Sequence, residues 1–244
     1  MTTLIRTELL KLYWTRATWV FLVVAVLLVL VRLELLLAGL GRVGAPTPGS
    51  RELTLAVLGT SGVGIFVITL LGVVSVTREF HSATWTSTLL ASPDRTRVVV
   101  AKVVAAALTG AAVAALLLLV TVVRAMAAGA VHLNPDGALV CAIPGGLLTA
   151  AWWAWLGVAV GLLVRNQTAA LILPLGWMLV VETLLPAYGL DVLVPWTPGG
   201  ATRAISGDIA AGLLPVWAAA LVLLGYGTAL TLLGARRLVR SDVS

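Results

Sequence analysis

Charge is the scarcest property of this 244-residue chain: 11% of its residues are Asp, Glu, Lys or Arg, against 60% hydrophobic. Soluble domains carry about 25% charged and about 45–50% apolar residues, so a water-soluble globule is excluded. Lysine is rarer still, two residues against fourteen arginines. The single cysteine, Cys141, excludes an intrachain disulfide. Two histidines, His81 and His132, lie far from it and from each other, so no metal cluster is expected. A net charge of +6 does not point to nucleic acid, because the bases sit at the edges of apolar runs rather than on one face. Internal repeats, direct or inverted, are not visible either. A nucleophile with its base is missing as well, so no catalytic residue is expected.

Two glycine patterns invite sharper readings. Gly59-Thr-Ser-Gly-Val-Gly64 lacks the Lys-Ser/Thr of a phosphate loop and lies inside an apolar run. As the Gly-x-Ser-Gly of an intramembrane protease it needs a histidine on another span, and both histidines fall in loops. Small residues that let helices approach closely are the plainer reading. The same holds for Gly157-x-x-x-Gly161, with dimerisation as the sharper alternative.

What is present is a succession of long apolar runs. Residues 2–16 place Ile5, Leu9, Leu12 and Tyr13 on one helical face and Arg6, Glu8, Lys11 and Arg16 on others. This pattern predicts an amphipathic helix in the membrane interface, retained rather than cleaved as a signal peptide. Six spans are predicted, at 17–38, 53–76, 98–123, 138–164, 168–185 and 213–235. The fold class is therefore an all-α polytopic membrane protein forming a single domain over 1–244. Ser92-Pro93 reads as the cap and first residue of the third span, and Pro144-Gly145-Gly146 as a loosening of the fourth. Residues 186–212 form an external segment with a short helix near 201–205. Both termini are expected in the cytoplasm. That orientation puts eleven bases inside and four outside, with Arg32 within a span.

Besides Lys102 on the opening turns of the third span, long enough to reach the interface, three charged residues fall inside predicted spans: Arg32, Glu34 and Glu182. Arg32 and Glu182 reach the same depth, about 21–22 Å above the inner start of their helices at 1.5 Å per residue. They are expected either to pair and bracket an outer gate, or to reach the external interface separately. Glu34 points away from Arg32, two residues along the same helix. Trp152, Trp155 and Trp177, with Trp153, fall near mid-depth rather than at the interfaces tryptophan prefers. They fit a substrate pathway lined by aromatics or ordinary packing between helices.

The extended polar stretch at 77–97 joins acids, bases, aromatics and hydroxyls between two spans. Hydrocarbon cannot hydrogen-bond such a segment, so it must meet water or another protein. Arg78-Glu79-Phe80-x-x-x-Thr84, then Leu89-Leu90-Ala91-x-Pro93-x-Arg95-x-Arg97-Val98, then Lys102, resembles the segment between spans two and three of type-2 ABC transporter permeases. Trp196-Thr-Pro-Gly-Gly200 is similar to a Leu-Pro-Gly-Gly-like sequence between that family's last two spans. His81, Ala83 and Thr197 depart from its usual residues. The resemblance covers essentially the whole chain.

It implies a half-transporter in a bacterial cytoplasmic membrane. A second permease subunit, identical or not, would pair with it, and two ATPase subunits would dock on the inner face. The chain would bind no cofactor; ATP and Mg belong to the partner. Arg78, Glu79, Phe80, Thr84, Trp85, Leu89 and Leu90 would couple it to the ATPase, the four large apolar ones by contact. Export of a hydrophobic or amphipathic substrate by alternating access is the leading expectation, within a complex that also contacts membrane lipids. An ion-coupled secondary carrier is the alternative; such carriers favour repeats and midplane charges.

Overall fold

The computed structural model describes residues 1–41, 46–81, 95–130, 137–207 and 212–240. The expected coupling residues Thr84, Trp85, Leu89 and Leu90 and the Ser92-Pro93 cap lie outside these. The described residues are helical, with no strand among them. They comprise α1 (Thr2–Trp14), α2 (Arg16–Ala38), α3 (Arg51–Thr60), α4 (Gly64–His81), α5 (Arg95–Ala127) and α6 (Gly137–Val164). Then come α7 (Gln167–Gly176), α8 (Glu182–Ala187), α9 (Pro198–Ile205) and α10 (Val216–Arg240). Six stretches are long and apolar enough to cross a membrane: Arg16–Ala38, Arg51–Phe80, Thr96–Ala127, Ala142–Val164, Gln167–Ala187 and Val216–Arg237. This is the six-span helical architecture expected from hydropathy.

Helix α6 is the hub, packing most extensively on α4, α5 and α10. Backbone contact makes this possible. A Cβ on Gly157 would meet the Thr69 carbonyl, and one on Gly72 the Ala154 carbonyl, so the two glycines face each other where α4 crosses α6. A Cβ on Gly161 would lie 3.1 Å from the Val73 carbonyl oxygen. Gly157-x-x-x-Gly161 thus serves packing within the chain, by the close approach small residues permit. Around the crossing, Val67, Ile68, Val76, Val158 and Leu162 form the main core.

Two spans are interrupted. Between α3 and α4, Ser61–Val63 form a 3₁₀ turn. Just before it, the Thr60 hydroxyl donates to the Val57 carbonyl at 2.6 Å, and the Ser61 hydroxyl to that of Leu58 at 2.7 Å. Such i−3 side-chain bonds compete with the regular ladder. Of the glycines there, Gly64 packs on Leu117, while Gly59 and Gly62 face open space. The small-residue reading therefore holds for Gly64 alone. Between α7 and α8, Trp177–Val181 form a π-helix in which the Glu182 N–H donates five residues back, to the Trp177 carbonyl. Pro174, three residues upstream, has no N–H for the ladder.

The tryptophans tie α6 to α10. Trp152 Nε1 donates to the Leu223 carbonyl at 2.8 Å, and Trp155 Nε1 to the Thr231 hydroxyl at 2.9 Å. Trp152, Trp153 and Leu156 then pack with Ala201 and Ala204 of α9 and with Ala219 and Leu223 of α10. Helix α9 is longer than the short helix expected near 201–205, because Thr197 caps it and Pro198 opens it.

Candidate functional site

Three helices, α1, α4 and α5, converge at the end of α4 and the opening turns of α5. Glu79 lies in the last turn of α4, Lys102 two turns into α5, and Glu8 and Lys11 one turn apart on α1. Lys11 Nζ lies 2.7 Å from Glu8 Oε1 and 3.0 Å from Glu79 Oε1. Lys102 Nζ lies 2.6 Å from Glu8 Oε2 and 2.7 Å from Glu79 Oε1. The four contacts close a ring of alternating charge whose formal sum is zero. Both lysines of the chain are in it.

Burial makes the ring consequential. The Lys102 side chain is 2% exposed, the two glutamates 11% each and Lys11 41%. Burying one charge is costly unless an opposite charge meets it, and removing one partner of a buried pair costs about 3–5 kcal/mol. Burial pushes the Glu8 carboxyl up, but Lys102 and Lys11 outweigh this and hold it below its ordinary 4.5. For Lys11 burial acts downward, yet Glu8 and Glu79 hold its ammonium above 10.5. Glu79 Oε2 is buried with no hydrogen-bond partner among the described residues. A cavity of about 480 Å³ adjoins the ring, lined also by Trp14, Ser75 and Arg78.

The neighbouring residues extend this anchorage. Phe80 packs partly against the main core, and the Arg165 guanidinium lies 5.5 Å from its ring centroid, within cation–π range. Arg165 has φ 57° in the tight turn between α6 and α7, where Asn166 caps α7 through the Ala169 N–H at 3.1 Å. Arg237 Nη1 donates to the Leu163 carbonyl at 2.9 Å, fastening α10 to the same turn. Of the expected coupling residues, Glu79 and Phe80 are thus held within this chain, and Arg78 lines the cavity beside the ring. Glu8 and Lys11 were not among the expected site residues; their spacing reads equally well as the wet face of an interfacial helix.

At the opposite end the expected charges separate. Glu34 pairs with Arg124, at the end of α5, at 2.7 Å. No ion pair joins Arg32 to Glu182 among the described residues. The Glu182 carboxylate instead accepts the Gly199 N–H at 2.8 Å and Trp177 Nε1 at 3.0 Å. Beside it the Thr197 hydroxyl accepts the Gly200 N–H at 3.0 Å. Free N–H groups at a helix start favour negative charge, so Glu182 and Thr197 together cap α9. A Cβ on Gly199 would strike the Glu182 carboxylate, and one on Gly200 the Val194 carbonyl. Both glycines are required by close approach. Arg32 and Arg203 line a cavity of about 550 Å³ at this end.

Comparison with protein families matches residues 4–182 to the family described as ABC-2 family transporter protein. Comparison with curated proteins finds no match. The matched range includes α1, the polar stretch, the ring and Glu182, and stops before α9.

Proposed function

As the chain belongs to the ABC-2 transporter family, we propose that it is the membrane half of a transporter driven by a separate ATP-hydrolysing subunit. Two such chains, alike or different, pair in this reading, and two ATPase subunits carrying ATP and Mg dock at the end that bears the ring. The excess of bases at that end supports a cytoplasmic orientation, in the plasma membrane of a bacterium. The cargo is hydrophobic or amphipathic and is exported by alternating access.

The observation that carries the coupling role is the charge ring. Residues 82–94 are flanked by Glu79 on one side and Lys102 on the other, and both bond to α1. Force applied to that stretch enters α4 and α5 together. Separating either from α1 exposes a buried charge without its partner, which costs several kcal/mol, so the three helices move as one body. ATPase motion would thereby tilt the spans rather than bend a loop.

Glu79→Gln and Lys102→Gln test this in vesicles containing the permease and its ATPase. Both variants should insert and retain the ATPase. ATP hydrolysis stimulated by the permease should fall about tenfold or more, since a charged hydrogen bond contributes about 1.5–3 kcal/mol and 1.4 kcal/mol is tenfold. Hydrolysis and transport at the unaltered rate in both variants would show that the ring does not couple.

A further inference from the structure

We propose that the cavity beside the charge ring, with the apolar groove adjoining it, binds a phospholipid whose headgroup carries a primary ammonium. The ammonium would donate to Glu79 Oε2, the phosphate would accept from Lys11, and one acyl chain would lie in the groove. The headgroup cavity, about 480 Å³, lies between α1, α2, α4 and α5. That volume falls in the range of small-molecule sites.

Two of its lining residues carry a buried polar atom with no hydrogen-bond partner among the described residues: Glu79 Oε2 and Thr18 Oγ1. The hydroxyls of Thr15 and Ser75, which also line it, donate instead to carbonyls one turn back. A buried carboxylate oxygen without a donor keeps its desolvation penalty, so a ligand that brings an N–H relieves it. A primary ammonium brings three such donors; a quaternary one brings none. The anionic half of the headgroup has a donor too. Lys11 directs two of its three N–H groups at Glu8 Oε1 and Glu79 Oε1, which leaves the third for a phosphate oxygen. Its side chain is 41% exposed against 2% for Lys102, so it is the ring ammonium within a ligand's reach. Arg78 also lines the cavity. The ring itself sums to zero charge, and a zwitterionic headgroup leaves that balance unchanged.

The groove suits a tail. It holds about 630 Å³ between α1, α2 and α5 and shares Leu12 and Thr18 with the headgroup cavity. Leu9, Leu22, Val113, Leu108 and Leu116 line it, the last two exposed. Tyr13 and Trp19 line it as well, edge to face at 5.5 Å, with Trp19 Nε1 donating to the Tyr13 carbonyl at 3.0 Å. Such aromatic residues sit at headgroup level in a bilayer, which is the depth the proposed pose requires. A lipid so bound bridges Glu79 of α4 and Lys11 of α1 and reinforces the ring.

The test measures thermal unfolding of the purified full chain in neutral detergent, without the ATPase, so its result does not depend on the transport reading. The probes are lysophosphatidylethanolamine, lysophosphatidylcholine and lysophosphatidylglycerol of one chain length, and phosphoethanolamine, which has no tail. Lysophosphatidylethanolamine should raise Tm saturably, and the other three should have little effect at equal concentration. Affinity is read from the concentration dependence of the shift within each variant, so a changed starting Tm does not enter. Glu79→Gln should weaken it about tenfold. Ala112→Trp, on the exposed wall of the groove, should also weaken it while leaving the ring in place. An equal response to lysophosphatidylglycerol would mean general attraction of anionic lipid, and to lysophosphatidylcholine, detergent-like partitioning. An equal response to phosphoethanolamine would mean a headgroup site without a tail groove, and no response to any probe a water-filled cavity. Each of these results overturns the proposal, as does unchanged affinity in either variant.

Discussion

Glu79 and Glu182 are both carboxylates at the margins of membrane spans, and the protein stabilises them in opposite ways. Glu79 meets two ammonium groups from other helices, 23 and 68 residues away in the chain. Glu182 meets one backbone N–H seventeen residues on and one indole five residues back. The first arrangement is held by long side chains on three separate helices, and it persists only while those helices stay together. The second is local, joining one backbone N–H of α9 and one nearby indole, so it holds α8 and α9 to each other. A charge ring suits a joint that transmits motion; a capped helix start suits a fixed structural element.

The comparison breaks most severely at Lys102. Lys102→Ala leaves two buried glutamates with Lys11 as their one remaining ammonium among the described residues and should cost about 3–5 kcal/mol, seen as a large drop in thermal unfolding temperature. The variant combining Lys102→Met, Glu8→Gln and Glu79→Gln should recover much of that loss while remaining uncoupled from ATP hydrolysis, because it buries no unpaired charge. Gly199→Ala drives a methyl group into the Glu182 carboxylate and should cost about 1–3 kcal/mol. Combined with Glu182→Ala, it should add almost nothing to the cost of Glu182→Ala alone, since the two share one contact.

Acid and base should separate the two regions more gently. Glu8 titrates below 4.5 in the folded chain, so its contribution is complete above that value and fades as pH falls through the lowered one. Lys11 titrates above 10.5, so its contribution is complete below that value and fades as pH rises through the raised one. Docking of α1, followed by the fluorescence of Trp14, should therefore stay constant between about pH 5 and 10 and weaken outside that window. The smallest effect belongs to Glu34→Gln. Its pair with Arg124 is 50% and 39% exposed, and exposed pairs contribute about 0–1 kcal/mol.

Hydropathy alone made the six spans legible, because hydrocarbon imposes length and composition on any helix that crosses it. It did not reveal the 3₁₀ turn at Ser61–Val63 or the π-helix at Trp177–Val181, since apolar residues look the same whichever hydrogen-bond spacing they adopt. The Trp196-Thr-Pro-Gly-Gly200 motif and Glu182 were each visible, yet equal depth suggested Arg32 as the partner of Glu182. Depth says nothing about which helices adjoin, and the π-helix turns Glu182 toward Trp177 and α9. Of the ring, Glu79 and Lys102 stood out beside the polar stretch, while Glu8 and Lys11 passed as the wet side of an amphipathic helix. The contacts that distinguish them span 68 and 94 residues, beyond any local pattern. One signal was available: the chain's two lysines each border an apolar run on the same side of the membrane.

The central claim is that α1, α4 and α5 move as one body, and the distance between α1 and α5 measures it directly. Spin labels at Leu10 and Val100, both exposed, in a Cys141→Ala background would report that distance in the reconstituted permease–ATPase complex. One narrow distribution, unchanged between nucleotide-free and ATP-bound states and broadened in Glu8→Gln/Glu79→Gln, is the predicted result. A distance that shifts with ATP in the otherwise unaltered ring, and shifts identically in the double variant, would contradict the account.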